Sequence, residues 1–540
     1  MIKFVISTFN DFWMDNAAEN FYRIVKEIAE VEPEVVESDL SENNIEIRIT
    51  NKEKFASFLK DKIISRRDKY IFFEKEDTKT KLINNVKKDF VIMQYGTKIK
   101  GKNVLKEQVY SDGDLASLLE ELIKDLESEK KKKTCVLCNR SFAKSIGNLK
   151  QSIYPFSTKI KSLSGIRTEL DSDHNIQQMK DYFDNVCPVC YVVGALEWSD
   201  GGIIYRCYLN SGKSIFLLPS YGDLKKLHQL KSKYISRLPI GESRSNVIFK
   251  FKKATGEEGS TVPVGNNTLM LGFLEKAIDE CLVENENRIS FWEVRKKYGL
   301  DSWVLVEVPS GTVKNIRQHH LKIKDNALNL IGLMLENKFK TYEQIIYKCN
   351  MRYMEDNSIF WEETEVLKED MARCIINDAY DGFASAMLPR KKAYFDIFLD
   401  KEERENFPNK FIYEWRWKKM GLTKEELERL SKAAEVVAKV ANEHIGDLYK
   451  LDKARNLTEL LEGLQQISKR TIGVTERKEM EKDQNIQYLS FKSLEDFSEL
   501  LHLKGSMGGN DFKNLKSTLM IFACMKLANE KRNRNKKEEK

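Results

Sequence analysis

Two knuckles, Cys135-Val-Leu-Cys138 and Cys187-Pro-Val-Cys190, decide how the rest of the chain is read. Each places two residues between its cysteines, a spacing that lets both thiolates reach one metal ion from a tight turn. Together they supply the four soft ligands of a tetrahedral structural zinc. A site closed by four cysteines has no open position for a substrate, so the metal would hold the fold and not catalyse. The 48 residues between Cys138 and Cys187 exceed a zinc-ribbon span, so a small zinc node with a large excursion is expected. Two other readings of the same residues stand beside it: a metal-free relic of such a node, and redox chemistry, for which neither knuckle has a thioredoxin-like surround. His174, within the excursion, is a spare ligand that four cysteines do not need.

At 540 residues the chain is too long for one domain, and an apolar fraction of 41% is enough for several cores. No apolar run reaches membrane-spanning length, so no membrane partner is expected. The opening Met1 to Thr8 turns polar too soon for an export signal. A reducing cytoplasm follows, and disulfides are not expected there. Cys207, Cys281, Cys349, Cys374 and Cys524 lack ligand spacing and read as buried thiols.

Charge is segregated around the node. From residue 130 to 168 the basic residues Lys130, Lys131, Lys132, Lys133, Arg140, Lys144, Lys150, Lys159, Lys161 and Arg167 meet no acid, and Phe142, Tyr154 and Phe156 are interleaved. Arg206, Lys250, Lys252 and Lys253 extend the block. Over 130–253 there are 22 basic and nine acidic residues, a net +13 in a chain whose total is +7, so the remainder is acidic. Such a block is the footprint of a phosphate-binding surface, with aromatics available to stack on unpaired bases. The plain alternative is a solvated basic face. Gly265-Asn266-Asn267 reads as a turn whose backbone can approach a DNA groove, where Asn266 and Asn267 can bond base edges; the plain alternative is a turn and nothing more.

The elements read as α+β and multidomain. Residues 1–129 form an N-terminal α/β region: Phe12 to Ile28 repeat at helical spacing, Ile45, Ile47 and Ile49 alternate as a strand, and helices return at Phe55–Ile63 and Leu115–Leu126. Residues 130–200 are the zinc node with its basic excursion. Residues 201–315 are a β-rich basic region, 316–419 a helical region interrupted at Phe407-Pro408, and 420–540 a C-terminal four-helix bundle. That bundle opens with a Thr423/Glu426 capping box.

Catalytic patterns are scarce. Asn210-Ser211-Gly212-Lys213-Ser214 lacks the earlier glycine of a phosphate loop, which falls on Cys207. Asp171 and Asp173 lack further carboxylates to make a metal site. His319-His320 has no nearby acid or nucleophile, and six histidines are few for acid–base work. No dinucleotide fingerprint or nucleophile elbow is present, so no enzyme activity is expected.

An α/β start, a CxxC…CxxC node at Cys135, Cys138, Cys187 and Cys190, and a helical C-terminal third resemble the CXXC–CXXC large subunit of type I (I-A/I-B) CRISPR interference complexes, Cascade. The cysteine motif covers about a tenth of the chain; length and the C-terminal bundle carry the likeness further. The resemblance implies a subunit beside the 5′ end of a guide RNA. It would recognise the protospacer-adjacent motif in double-stranded target DNA, support opening of the duplex and hold the displaced strand. It would assemble with backbone, guide-end and small subunits and recruit a separate helicase–nuclease, while base pairing reads most of the sequence. The C-terminal bundle would correspond to the small subunit, with Met420 an internal start for a separate copy. The resemblance assigns no base-reading residue here. Beside it stand a free-standing zinc-node nucleic-acid-binding regulator, which would want a discrete recognition helix; a nuclease, which would want clustered carboxylates; and a structural scaffold.

Overall fold

Asp11 starts the helix on which the N-terminal part is assembled. Its carboxylate accepts the amides of Trp13 and Met14, both at 3.0 Å, which satisfies donors that α1 (Phe12–Val31) leaves without an intrahelical partner. The computed structural model describes residues 1–65, 90–99, 102–110, 112–147, 149, 153–154, 167–170, 176–178, 185–197, 205–208, 214–235, 249–252, 258–261, 264–284, 287–308, 317–476, 484–505 and 509–538. The chain divides into two compact units, Met1–Lys250 with Glu280–Lys322, and Phe251–Asp279 with Ile323–Lys540. Both mix helices with small sheets, so the α+β, multidomain expectation holds.

In the first unit β1 (Ile2–Ser7), β2 (Val36–Leu40) and β3 (Asn44–Ile49) pair antiparallel in the order β1-β3-β2. Ile45, Ile47 and Ile49 are all buried, as the period-two pattern demands. Phe21, Ile24, Val25 and Ile28 of α1 enter the same core. The helices α2 (Lys52–Ser65) and α3 (Asp112–Glu127) frame the hairpin of β4 (Phe90–Ile99) and β5 (Lys102–Tyr110) in the sequence. Short pairs follow: β6 (Lys133–Thr134) with β7 (Ser141–Phe142), and β8 (Arg167–Leu170) with β9 (Ile176–Gln178). The segment read as β-rich carries three strands of a four-stranded antiparallel sheet, β10 (Tyr205–Tyr208), β11 (Ser214–Pro219) and β16 (Ser302–Val308), and the fourth, β17 (Arg317–Lys322), falls in the segment read as helical. The β-rich segment also carries the hairpins β12 (Phe249–Lys252) with β13 (Glu258–Thr261), and β14 (Val283–Glu284) with β15 (Asn287–Arg288). Helices lie between these strands: α4 (Pro188–Glu197), α5 (Leu224–Ile235), α6 (Asn266–Cys281) and α7 (Phe291–Lys297).

The first unit's core does not stop where the sequence changes character. Phe4, Trp13, Leu119, Phe142, Val189 and Leu196 belong to one buried cluster, which also takes in Cys135, Cys187 and Cys190. Burying an aromatic or aliphatic side chain is worth about 1.5–3 kcal/mol, so the knuckles and the N-terminal α/β region stabilise each other.

The second unit contains α6, α8 (Asp325–Glu336), α9 (Trp361–Ile376), α10 (Tyr380–Ala386) and the antiparallel pair β18 (Cys349–Tyr353) with β19 (Ala393–Ile397). Pro408 does not interrupt this region as its sequence predicts. Helical segments Lys401–Asn406, Phe407–Trp417 and Lys418–Met420 follow without a gap. Phe407 N–H still donates to Glu403 O, whereas Pro408 has no amide to give the preceding turn, and the run continues past that missing bond. The later turns are wide, and Lys418 reaches back five residues to Tyr413. Gly421, in the left-handed region at φ 62°, ends the run. Then come α11 (Lys424–Ala441), α12 (Gly446–Lys453), α13 (Leu457–Glu476), α14 (Gln484–Gly505) and α15 (Gly509–Glu538), four long helices and one short one. The expected capping box is present: Glu426 N–H donates to Thr423 Oγ1 at 3.2 Å and Thr423 N–H to Glu426 Oε2 at 2.7 Å. The bundle is tied to residues before 420. Trp417 Nε1 donates to Thr518 Oγ1 at 3.0 Å, Tyr380 shares a 2.8 Å bond with the same hydroxyl, and Arg532 pairs with Asp396 at 2.9 Å. A chain starting at Met420 would leave Thr518 and Arg532 without these partners.

Candidate metal centre and its basic surround

The first knuckle is the turn of a hairpin. Strands β6 and β7 flank it, Cys135 N–H donates to Arg140 O, and Asn139 N–H to Cys135 O, both at 2.9 Å. Closing so tight a turn takes a left-handed residue, and Asn139 supplies it at φ 55°. The second knuckle opens a helix. Pro188 takes the first position of α4, where its missing N–H is no loss, and Tyr191 N–H returns to Cys187 O at 3.0 Å. Cys190 therefore stands in the first turn, beside the positive end of the helix dipole, which favours a thiolate.

Backbone bonds bring the knuckles together. Val136 N–H donates to Asn185 O at 3.0 Å. Every residue of α4 is buried. Asn20 of α1 donates to Leu196 O at 2.9 Å, and Trp13 Nε1 to Ile153 O at 2.9 Å. Gly194 permits the approach of this segment: a Cβ there would stand 2.6 Å from Ile153 O.

The result is one cluster. The four Sγ atoms of Cys135, Cys138, Cys187 and Cys190 all lie within 4.8 Å of one another. Cys138 and Cys187 sulfurs are 3.7 Å apart, and all four cysteines are free of disulfides. A tetrahedral zinc with bonds of about 2.3 Å needs sulfurs roughly 3.8 Å apart, so the set fits that ion. Amide donors already point at two of the sulfurs: Cys187 N–H to Cys135 Sγ at 3.3 Å and Cys190 N–H to Cys187 Sγ at 3.4 Å. Thiol bonds from Cys138 first, then Cys187 and Cys190, hold Cys135 on the thiolate side, whereas burial pushes Cys190 well up. Four thiolates in one buried cluster repel each other, and a bound dication is what would let all four ionise.

The basic residues around the node divide into several kinds. Lys130, Lys131, Lys132 and Lys133 are exposed and lead straight into Cys135. Lys144 is exposed and 3.6 Å from Glu121. Arg140 is half-buried and committed inward: it donates to Val5 O and its guanidinium lies 5.6 Å from the Phe4 ring centroid. Arg167 stands on β8, Arg206 on β10, and Lys250 and Lys252 on β12. Lys150, Lys159, Lys161, Lys253, His174, Asp171 and Asp173 fall outside the described residues. Lys231, counted in the same charge block, is no surface cation. It is fully buried on α5, 2.9 Å from Glu19 of α1, and donates to Asn16 O at 3.1 Å. His228 Nδ1 meets the same Glu19 carboxylate at 2.8 Å and Arg23 at 3.0 Å. The sequence signal for this buried network is the polar series Asp15, Asn16, Glu19 and Asn20 within a helix whose neighbours are apolar.

Asn266 and Asn267 start α6 in the second unit. Glu369 of α9 accepts Asn267 N–H at 2.7 Å, Asn267 Nδ2 at 2.8 Å, Thr268 N–H at 3.0 Å and Thr268 Oγ1 at 3.1 Å. These four donors are thus taken by the chain's own carboxylate. A Cβ on Gly265 would lie 2.4 Å from the Glu369 carboxyl carbon, so glycine gives that carboxylate its room.

Among the described residues no helix is long and apolar enough to cross a membrane. The chain matches no protein-family model, and no curated protein sequence matches it.

Proposed function

We propose that the chain is the large subunit of a type I CRISPR surveillance complex, a non-catalytic nucleic-acid-binding protein that holds the guide-RNA end and target DNA. The observation that carries the reading is the closed four-cysteine cluster entered directly by the exposed run Lys130–Lys133. Cys135, Cys138, Cys187 and Cys190 would hold a structural Zn²⁺, which fixes the first knuckle against α4 and so fixes the lysines on a firm base. The lysines neutralise phosphates and release counterions, which supports affinity without reading sequence. In this role the protein recognises the protospacer-adjacent motif, supports R-loop formation and recruits a helicase–nuclease that cuts, in a prokaryotic cytoplasm. Purification of the tagged chain from its native host tests the reading. A discrete guide RNA with several stoichiometric protein partners is the expected outcome. A lone protein with heterogeneous nucleic acid moves the reading to a free-standing zinc-node regulator.

A further inference from the structure

Trp292 is the starting point. Trp13, Trp303, Trp415 and Trp417 are 2% exposed or less, whereas Trp292 is 63% exposed. An indole left in water forgoes the burial that the core tryptophans gain, so the fold gains little from it there. Its surroundings are cationic. Lys296, one turn on along α7, places its ammonium 5.3 Å from the centroid of the Trp292 ring. Arg295, Lys296 and Lys297 form the last turn of the helix, and Arg288 is exposed on β15. The acid within α7 is engaged in the helix capping box, where Glu293 accepts Ser290 N–H and Oγ, each at 2.9 Å; Glu284 of β14 pairs with Lys297, and Lys296 is the cation at the ring. Trp361 is equally exposed, but among the described residues no cation lies over its ring as Lys296 does over Trp292.

We infer that the exposed face of α7 is a stacking site for an unpaired base of single-stranded nucleic acid, with the Trp292 indole against the base and Lys296 on the adjoining phosphate. Every base has a π-face and every nucleotide a phosphate, so the pairing of a free indole with a cation at helical spacing recognises a strand without reading its sequence. A duplex buries its base faces and offers this site only its backbone. The inference rests on the nucleic-acid reading above and names for it a contact outside the cysteine-proximal basic block.

The test uses the purified full-length chain, a labelled oligothymidylate of about 20 nucleotides and a duplex of the same length, followed by fluorescence anisotropy. Variants are Trp292→Ala, Trp292→Phe, Lys296→Ala and a chain with Lys130 to Lys133 all changed to Ala. Trp292→Ala should weaken the single strand by about tenfold or more, leave the duplex within about twofold, and keep the parent melting temperature. Trp292→Phe should recover most of the affinity, and Lys296→Ala should reduce the salt slope by about 0.7. Quenching of indole emission on saturation should be smaller in Trp292→Phe than in the parent. If Trp292→Ala binds the single strand like the parent while the four-lysine variant loses both ligands, the α7 site is overturned and the phosphate-binding reading stands. If the parent binds neither ligand, both fall.

Discussion

The four-cysteine cluster of the first unit and the Gly265–Thr268 turn of the second are built from similar parts. Each collects polar groups on a tight turn and a helix start, and each reads in the sequence as a ligand site. They differ in what meets those groups. At the turn Glu369 arrives from 102 residues away and accepts from Asn267 and Thr268, so the chain closes its own constellation. At the cysteines the four sulfurs lie within 4.8 Å of one another, and the amides of Cys187 and Cys190 donate to two of them, but no charge of opposite sign meets the cluster among the described residues. Like groups that must ionise together need a cation from outside, whereas amides facing a carboxylate need nothing more. The lesson is that a motif makes a site when the fold leaves its chemistry unspent.

Removing one ligand should have the largest effect and would break the contrast if it did not. Cys190→Ser is expected to abolish stoichiometric zinc, read by elemental analysis, and to remove the cooperative melting of the first unit. Structural zinc binding is worth about 10–16 kcal/mol in small modules, and a zinc held here would join two chain segments in one core. Unchanged metal content and an unchanged melt would place the node's stability in its apolar packing alone.

A second carboxylate on a helix start sharpens the comparison. Glu275 is buried and accepts Tyr342 N–H, at 2.9 and 3.0 Å to its two oxygens, and burial pushes it up to about 8 against the hydrogen bonds from Tyr342 and Thr341. Between its ordinary value of 4.5 and that value the folded state holds a proton that the unfolded state has lost. Stability of the second unit should therefore fall as pH rises from about 4.5 to about 8, by at most about 1.4 kcal/mol per unit, and level off above. Glu275→Gln should flatten that slope in denaturant midpoints measured across the range. An equally steep slope in the variant would assign the pH dependence to other groups.

The smallest effect belongs to the self-closed turn. Glu369→Ala should destabilise the second unit by about 1–3 kcal/mol, because amides of Asn267 and Thr268 lose their acceptor. Gly265→Ala should cost a similar amount by displacing the same carboxylate. The double variant should cost clearly less than the two singles added, since both remove one interaction. Strict additivity in chemical denaturation would show that glycine and carboxylate act separately.

Much of the fold is legible from local rules. The period of Ile45, Ile47 and Ile49, the helical repeat from Phe12 to Ile28, and the Thr423/Glu426 box each name an element that is present, because side-chain spacing and caps act over a few residues. The knuckle spacing likewise marks four cysteines that do converge. Local rules fail where the partner is remote. Pro408 reads as a stop, yet wide turns after it carry the helix on to Met420. Lys231 reads as a surface charge, yet Glu19 draws it into the core. Arg140 reads as a phosphate contact, yet Val5 O and the Phe4 ring hold it inward. Trp292 carries no signal at all in one dimension, since only burial separates it from the four core tryptophans.

Propensity, period and ligand chemistry belong to residues and their near neighbours, so the kinds of element, their order, the segregation of positive charge and the donor set for a soft cation are all written in the chain. Tertiary structure alone decided which charges are spent inside and which remain outside. That choice depends on groups 102 to 215 positions apart meeting in a low-dielectric interior, where an unpaired charge is costly and a paired one is fixed.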